Sequence, residues 1–266
     1  MGEHARDGAA IRRPAPARRA PPRARHLRHR RLAESRRRRA SRSARSAHEA
    51  IVNVEHHTFS IVGRCARTGA FGVAVSTARP AVGAAVPWVG PDGAIATQAM
   101  TNTSIGRDGL TRLAAGVPVG QALTALLRDD PIREKRQVHG VDHHESWAHT
   151  GSDCKPWCGH RIEDGFSVAG NLLTGLEVLD AMATAFARDP RAELGERPLS
   201  ALEAGQAAGG DKRGRQSAAL LVWSPGVRPH DNLRVDDHPN PVAELRRLFT
   251  LMDTFFETSR HRRPKL

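Results

Sequence analysis

The chain has 266 residues, of which 39% are apolar, and a formal net charge of +13. Sixteen arginines against four acids fall within residues 1–50, so +12 of that charge belongs to the first fifty residues and the rest is nearly neutral. The length fits one large domain or two small ones. No stretch is apolar for long enough to cross a membrane as a helix, and a near-neutral body argues against a broad nucleic-acid-binding face.

Residues 1–50 combine Pro with Arg, and Arg36 to Arg39 run unbroken. Such a segment cannot bury enough apolar surface to offset its ordering entropy, so a disordered extension is expected. Arg, Ala, Pro and Gly without Lys are what GC-rich codons produce, and a start codon assigned too far upstream is the expected origin. A nucleic-acid arm held by phosphate contacts and a targeting peptide are the alternatives.

The body reads as one domain over about 55–258, followed by a basic frayed tail over 259–266. Its first strand is expected at Thr58–Gly63, and "ARTGA" turns it into a partner at Phe71–Thr77. Ala84–Gly90 and Gly93–Met100 read as a second hairpin. Asp108 can cap a helix that ends at Gly116, and a second helix with apolar Val119, Ala122, Leu123 and Leu126 stops at Pro131. Three strands are expected at Arg136–Asp142, Ser146–Gly151 and Gly165–Leu173. Two helices follow, the first aligning Leu176, Leu179, Met182, Ala183 and Phe186, the second over "PLSALEAGQAAGG". Strands at Ser217–Trp223 and Asn232–His238 precede a last helix with Leu245, Leu248, Phe249, Met252, Phe255 and Phe256 on one side. Without βαβ alternation a doubly wound parallel sheet is not expected. Two mostly antiparallel sheets between helix layers, an α+β fold, fit the order better.

Candidate site residues follow from chemical type. Asn171 and Asn102 can each donate to a developing oxyanion, or cap a turn. Asp211, Lys212, Arg213 and Arg215 share a Gly-rich turn that can hold a substrate carboxylate or form a salt-bridged loop. Gln216 and Ser217 open the next strand. Asp236, Asp237 and His238 can tune a proton or bind a metal, with a loop-ordering network favoured. "CKPWCGH" supplies Cys154, Cys158 and His160 but no second ligand pair, so no metal site is expected. No phosphate loop or dinucleotide motif occurs, and no cofactor is expected. Three cysteines, an odd number, argue for a reducing compartment and a cytoplasmic protein.

"TFSIVGRCARTGAFGVAVST", "GAIATQAMTN", "GNLLTG", "EAGQAAGGDKRGRQSAALLV" and "LRVDDHPNPVAELRRL" together resemble the DUF1028 family, placed with the N-terminal-nucleophile (Ntn) hydrolases. The resemblance runs from Thr58 to about Leu251. It implies a four-layer α/β/β/α sandwich and puts Thr58 where the superfamily places its nucleophile. A Thr hydroxyl needs a base, and the free α-amine of the same residue, with a pKa near 8, can serve. Residue 58 must therefore become the first residue. Many members resemble Met-Thr-Phe-Ser-Ile-Val, where Met removal frees the Thr. Here His57 precedes it, so self-cleavage or a protease is required. The expectation is an amide hydrolase acting on a non-protein or small peptide-like bond, with Asn171 or Asn102 at the oxyanion and Asp211 with Arg213 or Arg215 orienting substrate. The alternatives are a non-catalytic small-molecule binder of the same fold and a nucleic-acid-associated protein using its arginine arm. A homo-oligomer is expected in either of the first two.

Overall fold

The computed structural model describes residues 54–225 and 232–261. The arginine-rich extension expected over 1–50 lies outside the described residues, as does the end of the basic tail from 262.

Strand β1 covers Val54–His56, and β2 (Thr58–Cys65) and β3 (Ala70–Thr77) form a hairpin. Gly69 closes its turn at φ 72° and donates its N–H to the Cys65 carbonyl at 2.8 Å, a left-handed position that suits a residue without Cβ. A 3-10 turn at Val82–Ala84 replaces the start of the strand expected from Ala84, and β4 is only Pro87–Gly90. It pairs with β5 (Gly93–Thr101). Two helices follow, α1 (Thr103–Ala114) and α2 (Val119–Arg128). Four strands come next: β6 (Arg136–Val141), β7 (Ser146–Thr150), β8 (Gly159–Glu163) and β9 (Phe166–Gly170). Then come α3 (Glu177–Ala187), α4 (Glu196–Ala207), β10 (Ser217–Trp223), β11 (Asn232–Val235) and α5 (Pro241–His261). Helix α5 therefore runs three residues into the expected tail.

The strands form two antiparallel sheets. One has six strands in the order β11-β10-β3-β2-β9-β8; the other has the order β1-β5-β6-β7, with β4 also on β5. Strands β2 and β3 are buried on both faces. Alternation along β2 sends Phe59, Ile61 and Cys65 into a core shared with Leu179, Met182 and Phe186 of α3, Leu199 and Leu202 of α4, and Leu245 of α5. Val62, Val73 and Val75 point the other way, onto Ala94, Ala96 and Val141 of the second sheet. That sheet turns Ile95 and Val138 to a third core with Ile105, Leu113 and Leu123 of α1 and α2. Helices thus cover the outer face of each sheet, in an α+β sandwich. Among the described residues no helix is long and apolar enough to cross a membrane.

Candidate functional site

Thr58 opens β2 near the middle of the six-stranded sheet, while the three residues before His57 belong to the other sheet. The chain crosses between sheets at His57, and the His57–Thr58 peptide bond lies at the crossing. Thr58 shares its face of β2 with Ser60 and Val62, so its side chain is directed between the sheets. Thr58 and His57 are both buried.

The His57 carbonyl is gripped from two sides. Thr77, directly opposite Thr58 in register, donates its hydroxyl at 2.5 Å, and Arg213 donates Nη2 at 2.9 Å. Arg213 is aimed by Asp211, whose carboxylate accepts Nη2 at 2.6 Å and Nε at 3.1 Å. Only 1% of the Asp211 side chain is exposed, against 27% of the Arg213 side chain, so a buried carboxylate holds a partly solvated guanidinium. Asp211 also accepts the Arg213 and Ala78 N–H groups. The Gly-rich turn is fixed in turn by the Leu173–Asp211 bridge and the Lys212 N–H on the Leu172 carbonyl. Two donors converging on one carbonyl oxygen are what stabilises charge when that carbon is attacked.

Asn171 sits on the other side of the bond. Its N–H donates to the Thr58 carbonyl at 3.0 Å, and its side-chain oxygen meets His57 Nδ1 at 2.8 Å. Its amide nitrogen donates to Gln137 Oε1 at 2.9 Å, which also accepts Gln98 Nε2 at 2.8 Å. Gln98 Oε1 accepts the Ser60 hydroxyl at 2.7 Å, and Ser60 Oγ meets His139 Nε2 at 2.7 Å. Ser60 has one proton and gives it to Gln98, so His139 Nε2 carries a proton and Nδ1 accepts the Ser167 hydroxyl at 2.9 Å. The same logic makes His57 the Nδ1–H donor to Asn171. Burial, with a smaller contribution from His160, pushes the His139 pKa down to about 3, so this ring stays neutral. Every member of the buried network has one consistent donor direction, and Asn171 is held rigidly by it.

The other candidates from the sequence fall elsewhere. Asn102 caps α1, accepting the Ser104 N–H at 3.1 Å, and bonds Asp130. This cap lies six residues before Asp108, the cap expected for the helix. Ser217 ties down the 79–82 loop through the Arg79 carbonyl and Val82 N–H. Gln216 bonds Asp237, Asp236 pairs with Arg234, and His238 Nδ1 accepts the Asn240 N–H, a set of loop-ordering contacts. Arg215 is exposed. Cys154 donates to the Arg136 carbonyl, and burial pushes its thiol up to about 12. Residue type had pointed to Asn171, Asp211 and Arg213 but not to Thr77, Gln137, Ser60 or His139. The one available signal for Thr77 was its place opposite Thr58 in the expected hairpin.

No curated protein matches the chain. Its structure is similar to the crystal structure of a DUF1028 protein from Silicibacter pomeroyi, with 34% sequence identity and a TM-score of 0.68, over 73% of this chain and 85% of that one. Residues 58–245 match the family model described as a family of unknown function, DUF1028, and the chain belongs to that family.

Proposed function

We propose that the chain is the precursor of an Ntn-type amide hydrolase whose nucleophile is Thr58. The observation that carries this reading is the grip of Thr77 and Arg213 on the His57 carbonyl. In the precursor, Thr58 Oγ1 attacks the His57 carbonyl carbon. The C–N bond breaks, the nitrogen takes the hydroxyl proton, and an ester joins His57 to Thr58. Water cleaves the ester, leaving a carboxylate on His57 and a free α-amine on Thr58. That amine then serves as base for the same hydroxyl, and the vacated donors receive the carbonyl of an incoming amide. The roles assigned are Thr58 as nucleophile, Thr77 and Arg213 as oxyanion donors, and Asp211 and Asn171 as positioning residues. The chain supplies every group this chemistry needs, so no cofactor is required.

Intact-mass spectrometry of the purified full chain tests it. The expected mature species begins at Thr58, and Thr58→Ala stays whole. A wild-type chain that keeps residues ahead of Thr58 under native conditions sinks the reading. It would favour the non-catalytic alternative, because Thr58 is buried while β1 is in place.

A further inference from the structure

The sheet edge next to Thr58 carries information about what the site accepts. Strand β4 covers the first part of one β5 edge, from Gly93 to Ala96. Strand β1 covers Ala99–Thr101, with Val54 opposite Thr101, Glu55 opposite Met100 and His56 opposite Ala99. The opposite edge is taken by β6. The chain leading to the gripped carbonyl is therefore itself an extended peptide, paired as a strand and ending with the His57 ring on Asn171.

We propose that the acyl side of the site binds an extended peptide as an added strand on Ala99–Thr101 of β5, with a hydrogen-bond-donating side chain at the residue that supplies the scissile carbonyl. The proposal rests on the reading of Thr58 as nucleophile. Departure of residues 54–57 would leave the backbone groups of three β5 residues without a strand beside them, and an incoming strand replaces those bonds. The side-chain preference follows from the network. Asn171 commits its amide nitrogen to Gln137 Oε1, and Gln137 cannot rotate to release it because its own nitrogen is committed to Thr150, Gly159 and Gly170. Asn171 therefore presents an acceptor to the position of His57. A His Nδ1–H, an amide or a hydroxyl satisfies it, whereas an aliphatic side chain leaves it unpaired and a carboxylate repels it.

The test uses the full chain carrying Thr58→Ala with Val54→Pro, His56→Pro and His57→Gly, substitutions that stop the resident strand from pairing and take the resident ring off Asn171. The probe is a fluorescein-labelled Val-Glu-His-His peptide with an amidated C-terminus, followed by anisotropy. Saturable binding is expected, about tenfold weaker for the peptide methylated at its backbone nitrogens and about tenfold weaker when the last His is replaced by Leu. Equal affinity for the methylated peptide, or no binding by a variant with native circular dichroism, overturns the proposal. If the proline variant does not fold, glycines at 54–57 serve instead, and protection of the 99–101 amides from deuterium exchange by excess peptide is the readout. The two readings fail separately. Hydrolysis of a small amide without strand-dependent peptide binding removes the subsite and keeps the nucleophile. Peptide binding beside a wild-type chain that never processes keeps the subsite and removes the nucleophile.

Discussion

Thr77→Val takes one donor from the His57 carbonyl and little else. Valine keeps the β-branched shape, and the site is buried, with 1% of Thr77 exposed. In the folded precursor the carbonyl still has Arg213 at 2.9 Å, so the loss is one net hydrogen bond, about 0.5–1.5 kcal/mol. For a body of this size that lowers Tm by roughly 2–4 °C per kcal/mol. On the proposed reading the transition state loses more, because the oxygen is then an anion and the hydroxyl at 2.5 Å is one of its two donors. Removing one such donor costs about 10²–10³ in rate, some 2.7–4 kcal/mol. The assay is a time course of intact mass on freshly refolded full chain, beside a thermal melt followed by circular dichroism. The expected result is a chain nearly as stable as wild type that processes at least about a hundredfold more slowly. Processing of Thr77→Val at the parental rate would falsify the assignment of this hydroxyl. A collapse of stability matching the loss of rate would make Thr77 a folding residue.

Two further predictions concern stability. His139 titrates near 6.5 when exposed and near 3 in the fold, so the unfolded chain takes up the proton first. Its contribution is complete above pH 6.5 and declines as pH falls toward 3, by about 1.4 kcal/mol per unit. Urea midpoints at pH 7, 5.5 and 4.5 should fall more steeply for wild type than for His139→Gln, and equal slopes would exclude the buried neutral ring. Asp130 is pushed up by burial, but the Arg136 guanidinium, the Ile132 N–H and Asn102 together hold it below the usual carboxylate range. Its partner Arg136 is only 4% exposed, at 3.0 Å, so Asp130→Ala takes the carboxylate away from a buried guanidinium. A loss of about 3–5 kcal/mol in urea unfolding is expected, and a loss under about 1 kcal/mol contradicts the burial argument.

Strands buried on both faces were the legible part of the sequence. Ser217–Trp223 was expected and found with the same bounds, because a short apolar run between turn residues has few other solutions. Strand β8 was missed because it is a sheet-edge strand whose exposure alternates over a polar stretch, Gly-His-Arg-Ile-Glu. The start of α1 was misplaced because the sequence offers Asp108 as its cap, with Gly106 left ahead of the helix and Gly109 at its first position. Both lie inside the helix where it packs tightly, since a Cβ at Gly106 would stand 2.2 Å from the Trp88 ring and one at Gly109 would stand 2.5 Å from Ile95. At the site, residue chemistry pointed to Asp211 and Arg213 as anchors for a substrate carboxylate. The contact of Arg213 with a carbonyl 156 positions away could not be read, because it depends on β10 lying beside β3, and β3 beside β2, in one sheet. Thr77 looked like an ordinary β-branched strand residue, although the expected hairpin set it opposite Thr58.

The crossing at His57 also bears on how the molecule is made. In the whole chain β1 is tethered to β2 through one residue, so its effective concentration at the β5 edge is very high and it can take part in assembling that sheet. A chain that begins at Thr58 would have to build the same sheet without it. On the proposed reading, folding comes first and cutting second, and the two orders are not interchangeable. A mature protein denatured and then diluted into buffer should recover less readily than its precursor, so its persistence would depend on how slowly it unfolds.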